Sequence, residues 1–238
     1  MSSVFPTAAS PSPDLFVLGR AAQAACWAAT GGRGVFACWR RLLSTGLWQG
    51  PASAVSAFVE EMDLGALGGL PAACAAGANT FIATSIPMLI EATRCGMRGL
   101  LRIPLTPDES VQQQKQRLAA LADQARDGLV LDGVVPTLDE DCMGIPALLF
   151  FARCRLALAG VPHVLVDLDR LGSKLGQLAL GFGADELCGP IVVERALRLG
   201  DNAGSRAITR AEAAQLLRGA GLRAFERVAG GALEEFAP

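Results

Sequence analysis

Three consecutive segments decide the fold of this chain: VPHVLVD at residues 161–167, LGSKLGQLAL at 171–180 and FGADELCG at 182–189. The first is an apolar run preceded by a proline, which is typical of a strand. The second has helical character from Gly172-Ser173 onward. The third is a glycine-containing turn that leads back into apolar sequence. The order of strand, helix and turn is the repeating unit of an α/β protein.

The same alternation extends along the chain on both sides of this unit. Apolar runs bounded by Gly, Pro or Asn predict strands over Thr80–Thr84, Leu100–Leu105, Leu129–Val135 and His163–Leu168. Helices are predicted around them, over about 86–95, 108–127, 147–159, 174–180 and 209–218. Strands that alternate with helices of this length predict βαβ units and a mainly parallel sheet.

Two helix starts carry capping signals. Thr106 is followed by Pro107 and, three positions after the threonine, by Glu109. Thr209 and Glu212 repeat this spacing. A threonine hydroxyl and a glutamate three residues later can satisfy the free N–H groups of a first helical turn. We therefore expect helices to begin directly after Thr106 and Thr209.

The first 62 residues differ from the rest and are predicted to be an amino-terminal arm with a mostly helical segment. Residues 1–13 are rich in Ser, Pro and Ala, and a helix is expected over 15–30 before Gly31-Gly32. A short strand over 34–39 and a helix over 52–61 follow. Residues 63–238 form the second predicted unit, a partial (β/α) barrel.

Residues 161–189, together with the Thr209 to Arg227 segment, resemble the carboxyl-terminal signature of one enzyme family. The chain looks like the radical-SAM enzymes of the futalosine route to menaquinone, such as aminofutalosine synthase and dehypoxanthine futalosine cyclase, and like their relatives in deazaflavin cofactor synthesis. The similarity covers about residues 98–227. It implies an α/β fold, an incomplete (β/α) barrel with five or six mainly parallel strands.

The cysteines depart from that family. A [4Fe–4S] cluster of the radical-SAM type needs three closely spaced thiolates, and none of the seven cysteines lies in a CxxxCxxC motif. We therefore expect no iron–sulfur cofactor and no other cofactor. The wide, irregular spacing of the cysteines also argues against a structural zinc site and against a disulfide framework. The acidic run at 139–141 is interpreted as a solvated loop, and no metal site is predicted.

Composition excludes several classes of partner. The chain has 21 basic and 23 acidic side chains spread without blocks, so no basic surface for nucleic acid is expected. The amino terminus lacks the features of a signal peptide. The uncharged stretch from Leu64 to Ile90 is broken by prolines and glycines, so we interpret it as a buried βα layer and not as a membrane span. We expect a cytoplasmic protein without a membrane partner.

Candidate site residues are the polar side chains near the predicted strand ends, where barrels collect their functional groups. Candidates for acid–base chemistry are Asp132, His163 and Asp167. Candidates for ligand binding are Arg102, Asp169, Ser173 and Lys174. Each has a structural alternative: Arg102 can face outward between helices, Asp169 can begin a turn, and a single histidine can be a hydrogen-bonded structural residue. Ser173 and Lys174 lie at a helix start that can cradle an anion.

The resemblance and the missing motif together predict a non-catalytic or accessory barrel protein. It would bind a protein partner or a small aromatic or nucleoside-like ligand, with a possible link to menaquinone biosynthesis. The alternative is a cluster-independent enzyme that uses acid–base residues at the carboxyl end of the barrel, and a third option is a decaying relative without activity. Because few strands remain to close the barrel, we expect a homo-oligomer or a complex with another protein.

Overall fold

The computed structural model describes residues 15–41, 56–139, 142–189, 191–192, 208–228 and 231–237. Its α helices are α1 (Leu15–Thr30), α2 (Leu64–Leu67), α3 (Leu70–Ala75), α4 (Ile86–Arg94), α5 (Val111–Arg126), α6 (Ile145–Ala157), α7 (Leu168–Leu180) and α8 (Arg210–Gly219). The strands before α5 are β1 (Arg33–Phe36), β2 (Trp39–Arg41), β3 (Ser56–Glu60), β4 (Thr80–Ala83) and β5 (Arg98–Leu105). The later strands are β6 (Gly133–Leu138), β7 (His163–Asp167), β8 (Glu186–Cys188), β9 (Ile191–Val192), β10 (Ile208–Thr209), β11 (Arg223–Arg227) and β12 (Leu233–Glu235).

Ten of these strands form one sheet, in the order β12-β11-β1-β8-β7-β6-β5-β4-β3-β2. Neighbouring strands run parallel from β11 to β2, and only β12 is antiparallel to its neighbour β11. The two remaining strands, β9 and β10, pair with each other. The predicted mainly parallel sheet is confirmed, although the expected five or six strands were too few.

The sheet must curl because two strands that are adjacent in the chain, β1 and β2, lie on opposite sides of the strand order. β1 pairs with β8 and β11, whereas β2 pairs with β3 at the far end of the strand order. Only Ala37 and Cys38 separate β1 from β2, so Phe36 and Trp39 lie at most about 11 Å apart along the chain. The two ends of the curl therefore meet at this short connection, which gives the incomplete barrel predicted from the sequence.

The two faces of the curled sheet carry different side chains. The inner face has a small apolar cluster made of Ala37, Ile82, Leu100, Val135, Leu165 and Cys188. The outer face belongs to the large core cluster with the helices, including Phe81, Ile103, Val134 and Val166. Alternation of the two sets along each strand follows from the two-residue period of a strand. The inner cluster fills the middle of the barrel, with polar side chains on either side of it.

Most predicted elements match the structure, and two do not. The helix expected over 52–61 is wrong for its described part, because residues 56–60 form β3. Thr106 does not cap α5: Ser110 does, in a capping box with Gln113, so this helix starts later than expected. The capping box of Thr209 and Glu212 at α8 is confirmed.

The amino-terminal segment contributes directly to the barrel. β1, β2 and β3 belong to the same sheet as β4, so one sheet continues across the predicted boundary between residues 62 and 63. Phe36 is fully buried and packs edge-to-face on Phe236, whereas Trp27 on α1 is 47% exposed. Residues 1–14, 42–55 and 193–207 lie outside the described residues. They include Leu43, Leu47 and Trp48, for which the sequence left open a protein interface or a core position, and Glu194 of the family-like segment. Within the described ranges, no helix has the length and apolar character needed to cross a membrane.

A methyl group added inside the barrel should destabilise the protein, because the inner cluster is closely packed. A Cβ atom at Gly133 would lie 2.6 Å from Leu165 Cδ1 and 3.0 Å from Leu100 Cδ2. We expect Gly133→Ala to lower the free energy of unfolding by about 1–2 kcal/mol, the usual cost of overpacking. Urea unfolding measures this. The control is Gly160→Ala, whose Cβ would meet nothing within 4 Å. Equal stability of the two variants would contradict a filled barrel interior.

Candidate functional site

Three charged side chains meet inside the barrel at the carboxyl ends of the strands. Glu60 is the last residue of β3, Asp167 is the last residue of β7, and Arg102 lies in the carboxyl half of β5. The strand registers place all three on the inner face with residues of the apolar cluster: Glu60 pairs with Ile82, Arg102 with Val135 and Asp167 with Cys188. We call Glu60, Arg102 and Asp167 the mouth cluster.

Arg102 bridges the two carboxylates across the barrel. Its Nη2 donates a hydrogen bond to Oε1 of Glu60, and its Nη1 lies 3.6 Å from Oδ2 of Asp167. The Arg102 and Glu60 side chains are each 9% exposed, and that of Asp167 is 12% exposed. Among the described residues, Nη1 of Arg102 makes no hydrogen bond. A buried guanidinium N–H without an acceptor is costly, so this atom is where an incoming acceptor would gain most.

The charges of the mouth cluster are not balanced by Arg102 alone. Burial raises the pKa of Asp167 above its ordinary value, while the Arg102 and Arg170 guanidinium groups oppose that rise and Glu60 adds to it. Arg170 is half exposed and lies 3.6 Å from the Asp167 carboxylate. A buried carboxyl group with a raised pKa beside a cation suits acid–base chemistry. The cluster can also accept hydrogen bonds from hydroxyl or amino groups through its two carboxylates.

The other predicted ligand-binding residues lie in α7, directly after Asp167. The backbone N–H of Asp169 donates to Oδ1 of Asp167 at 3.1 Å, so Asp167 caps this helix and Asp169 occupies its first turn. Gly172 interrupts the helix with a φ of 71°, which suits glycine. Ser173 and Lys174 follow it and are exposed. Asp169, Ser173 and Lys174 thus follow the carboxyl end of β7 in the chain. Their proposed role in ligand binding stays a prediction.

Asp132 and His163 do not join the mouth cluster. Asp132 precedes β6, and His163 is the first residue of β7, so both lie at the amino ends of their strands. Placing them with Arg102 was wrong, because residues that open a strand and residues that close it lie at opposite ends of a parallel barrel. Oδ2 of Asp132 accepts a hydrogen bond from the backbone N–H of Gly99 at 2.8 Å, so this carboxylate supports the start of β5.

His163 belongs to a buried group of ion pairs at the amino ends of β5, β7 and β8, which Arg227 joins from the end of β11. We call this group the base network, which consists of Arg98, Arg155, His163, Asp185, Glu186 and Arg227. The two terminal nitrogens of Arg98 donate to the two carboxylate oxygens of Glu186 at 2.7 Å each. Nη2 of Arg227 donates to the same carboxylate at 3.0 Å. Glu186 is fully buried, so two guanidinium groups compensate one buried negative charge.

The second half of the base network joins α6 to the sheet. Arg155 and Asp185 form an ion pair whose side chains are both fully buried, and Nε of Arg155 donates to the backbone oxygen of Gly183 at 2.8 Å. Nδ1 of His163 lies 2.6 Å from Oδ2 of Asp185, and its Nε2 lies 3.3 Å from Nη2 of Arg227. Because a guanidinium can only donate, Nε2 accepts and Nδ1 donates to Asp185. These contacts fit the structural alternative for His163.

Sequence reasoning missed Glu60 because residues 52–61 were expected to be helical. The alternation in SAFVE, with Phe58 and Glu60 on one side and Ala57 and Val59 on the other, is the signal for a strand there. It also missed the partners of Glu186. Arg98 and Arg227 lie 88 and 41 residues away from it, and only the closed sheet brings them together.

The cysteines do not form the ligand set of an iron–sulfur cluster. All seven lie within the described residues as free thiols, on separate elements of the fold. In the described part of the chain, no group of three His, Cys, Asp or Glu side chains has the arrangement to hold a metal ion. Of the acidic run at 139–141, only Asp139 is described. The residues present therefore do not fit a radical-SAM cluster, which needs three thiolates on one metal site.

Known proteins that are similar to this chain include a sequence relative and a solved structure. Over 85 residues, which are 35% of this chain and 22% of the relative, it is 39% identical to aminodeoxyfutalosine synthase of Streptomyces coelicolor (strain ATCC BAA-471 / A3(2) / M145). The chain thus spans only 22% of the length of that relative. Its fold matches the crystal structure of methylornithine synthase with a TM-score of 0.62 and 12% identity, over 87% of this chain and 88% of the other. No family profile matches the chain. The predicted resemblance to the futalosine-pathway enzymes is confirmed over these 85 residues, and the predicted barrel-like fold is confirmed over most of the chain.

The base network should make stability depend on acid pH. Burial alone would raise the pKa of Glu186, but the Arg98 and Arg227 guanidinium groups hold that pKa far below its usual range. The carboxylate therefore stays ionised in the folded protein at pH values where the unfolded chain has bound a proton. Its contribution is complete above the unfolded pKa of about 4.3 and is lost as the pH falls below it.

We expect Glu186→Gln to remove part of the acid sensitivity. Between pH 6 and pH 3, the free energy of unfolding of the unmodified protein should fall by about 2 kcal/mol more than that of the variant. Urea unfolding at both pH values measures the difference. Asp123→Asn is the control, because Asp123 forms an exposed pair with Arg126. A variant that loses as much stability as the unmodified protein would rule out this role for Glu186.

Proposed function

We propose that this chain is an accessory radical-SAM-like barrel that binds a small ligand at the mouth cluster and has no iron–sulfur cofactor of its own. The observation that carries the proposal is the Arg102 guanidinium, which lies between the Glu60 and Asp167 carboxylates and whose buried Nη1 atom makes no hydrogen bond to the described residues. Buried polar atoms without a partner are rare in folded proteins. A ligand acceptor at this atom would complete the cluster.

The surroundings of the mouth cluster favour a ligand with a polar group beside a flat apolar body. Glu60 and Asp167 accept hydrogen bonds from hydroxyl or amino groups, and Nη1 of Arg102 donates one. Below them, Ile82, Leu100, Val135 and Leu165 form an apolar floor. Most ligand sites combine an apolar lining with a few such polar groups. A sugar hydroxyl attached to a ring fits this pattern, so we propose a nucleoside-like or aromatic ligand.

The accessory role and the link to menaquinone are parts of the same proposal. The similarity to aminodeoxyfutalosine synthase supports the link. The scattered cysteines support the accessory role, because radical chemistry of the family type requires a cluster. Association with a copy of itself or with another protein stays a prediction, as does the cytoplasmic location. Fold similarity alone does not establish an activity.

A second candidate function is acid–base catalysis without a cluster. The raised pKa of Asp167, caused first by burial, favours it, because a raised pKa brings proton exchange by a carboxyl group closer to neutral pH. Of the three acid–base candidates from the sequence, only Asp167 lies at the carboxyl end of the barrel. His163 and Asp132 are engaged in structural contacts at the opposite end. This alternative therefore rests on one carboxyl group next to Arg102.

Native mass spectrometry of gently purified protein tests the ligand proposal. We expect a retained small molecule in the unmodified protein. In Arg102→Lys its occupancy should be at least about tenfold lower, because lysine keeps the positive charge but has one terminal nitrogen where arginine has two. Arg126→Gln is the matched control, since Arg126 is exposed and pairs only with neighbouring Asp123 in the described structure. Thermal melting verifies that each variant is folded.

The outcomes separate the two functions. A molecule that is retained unchanged during incubation supports the accessory role, whereas its conversion to a product that Asp167→Asn cannot form favours catalysis. Equal occupancy in the unmodified protein and in Arg102→Lys would overturn the assignment of the mouth cluster. So would a protein that retains no small molecule.

Anaerobic reconstitution tests the cofactor proposal separately. After incubation with iron and sulfide and removal of unbound ions, we expect iron well below the content of one cluster per chain, because no three thiols lie close enough to ligate one metal site. Iron and sulfide analysis provides the readout, and apo-protein treated without sulfide serves as the control. A stoichiometric cluster that cleaves S-adenosylmethionine would overturn the accessory role.

A further inference from the structure

Two of the seven cysteines differ from the other five in their access to solvent. Cys26, Cys38, Cys142, Cys154 and Cys188 are buried, whereas Cys74 is partly exposed and Cys95 is exposed. Burial raises the pKa of Cys26 to about 11 and the pKa values of Cys38 and Cys154 to about 12, so these thiols hold their protons at neutral pH. Thiol exchange requires an accessible thiolate. Only Cys74 and Cys95 meet the requirement for access.

The fold brings these two residues together although they are 21 positions apart. Cys74 lies in the last turn of α3, which leads into β4, and Cys95 follows α4, which leads into β5. β4 and β5 are neighbours whose first residues, Thr80 and Arg98, are register partners. The two helix ends therefore lie side by side at the amino ends of these strands. The Sγ of Cys74 is 3.6 Å from the backbone oxygen of Cys95.

We propose that Cys74 and Cys95 form a reversible disulfide when the protein meets an oxidised low-molecular-weight thiol such as glutathione disulfide. The thiolate of one cysteine attacks a glutathione sulfur, forms a mixed disulfide and releases one glutathione thiolate. The second cysteine then attacks the protein sulfur of this mixed disulfide and releases the second glutathione. The protein loses two protons and two electrons, which reduce glutathione disulfide to two glutathione molecules.

The position of the pair determines what the disulfide would do. It joins the end of α3 to the turn after α4 and closes the chain segment that contains β4 and α4. A crosslink of this length lowers the entropy of the unfolded chain. Because both cysteines lie at the amino ends of β4 and β5, the link would stabilise the barrel without contacting the mouth cluster at the other end.

Oxidation of the purified protein with glutathione disulfide tests the proposal. We expect the unmodified protein to lose two hydrogen atoms, to retain no glutathione and to yield one crosslinked peptide pair containing Cys74 and Cys95. The Tm should rise by about 5–10 °C and return to its starting value after reduction. Intact mass and peptide mapping after alkylation of the free thiols provide the readouts.

Single variants separate bridging from simple accessibility. In Cys74→Ser and Cys95→Ser the remaining thiol has no partner, so each variant should retain one glutathione and show no rise in Tm. Stable glutathione adducts on both cysteines of the unmodified protein would overturn the proposal, because they would show accessible thiols that cannot reach each other. Unreacted Cys74 and Cys95, or a crosslink to any of the five buried cysteines, would overturn it as well.

Discussion

The connection between β1 and β2 is the constraint on which the rest of the structure depends. β1 pairs with β8 and β11, β2 pairs with β3, and only Ala37 and Cys38 lie between them. Two residues cannot connect β1 to β2 across a flat sheet in this strand order, because neighbouring strands are spaced about 4.8 Å apart. The sheet therefore curls until its two sides meet. The contacts across the barrel interior depend on this curl, including those of Arg102 on β5 with Glu60 on β3 and with Asp167 on β7.

The barrel interior is divided into three layers with different chemistry. The base network satisfies its charges mutually, since Glu186 has two guanidinium partners and Asp185 has Arg155 and His163. The middle layer is apolar and separates the two ends. The mouth cluster holds two carboxylates against one inward guanidinium, one of whose nitrogens lacks a hydrogen bond among the described residues. Nε of Arg227 in the base network also lacks a hydrogen bond among the described residues, so the two ends differ in charge pairing and not in hydrogen bonding alone. The base network, where the carboxylates have several cationic partners, supports folding, and the mouth cluster is the end that we propose for binding.

Strand position explains which site residues were found from the sequence. Arg102 and Asp167 were identified because polar residues in or directly after an apolar run lie near its carboxyl end, and the structure places them there. His163 is the first residue of both the predicted strand and β7, so it lies at the amino end. Asp132 was expected within the strand Leu129–Val135, but β6 begins only at Gly133. An error of a few residues in a strand boundary thus moves a side chain from one end of the barrel to the other.

The sequence by itself determined the α/β alternation, most strands and helices, the cap of α8 by Thr209 and the family resemblance over the carboxyl-terminal part, because periodicity, capping and turn residues act within a few positions. Only the tertiary structure decided that residues 56–60 are a strand, that Glu60 faces Arg102, and that Cys74 lies beside Cys95. These outcomes depend on pairing between segments far apart in the chain. Such pairing is set by closure of the whole sheet, which no local pattern records.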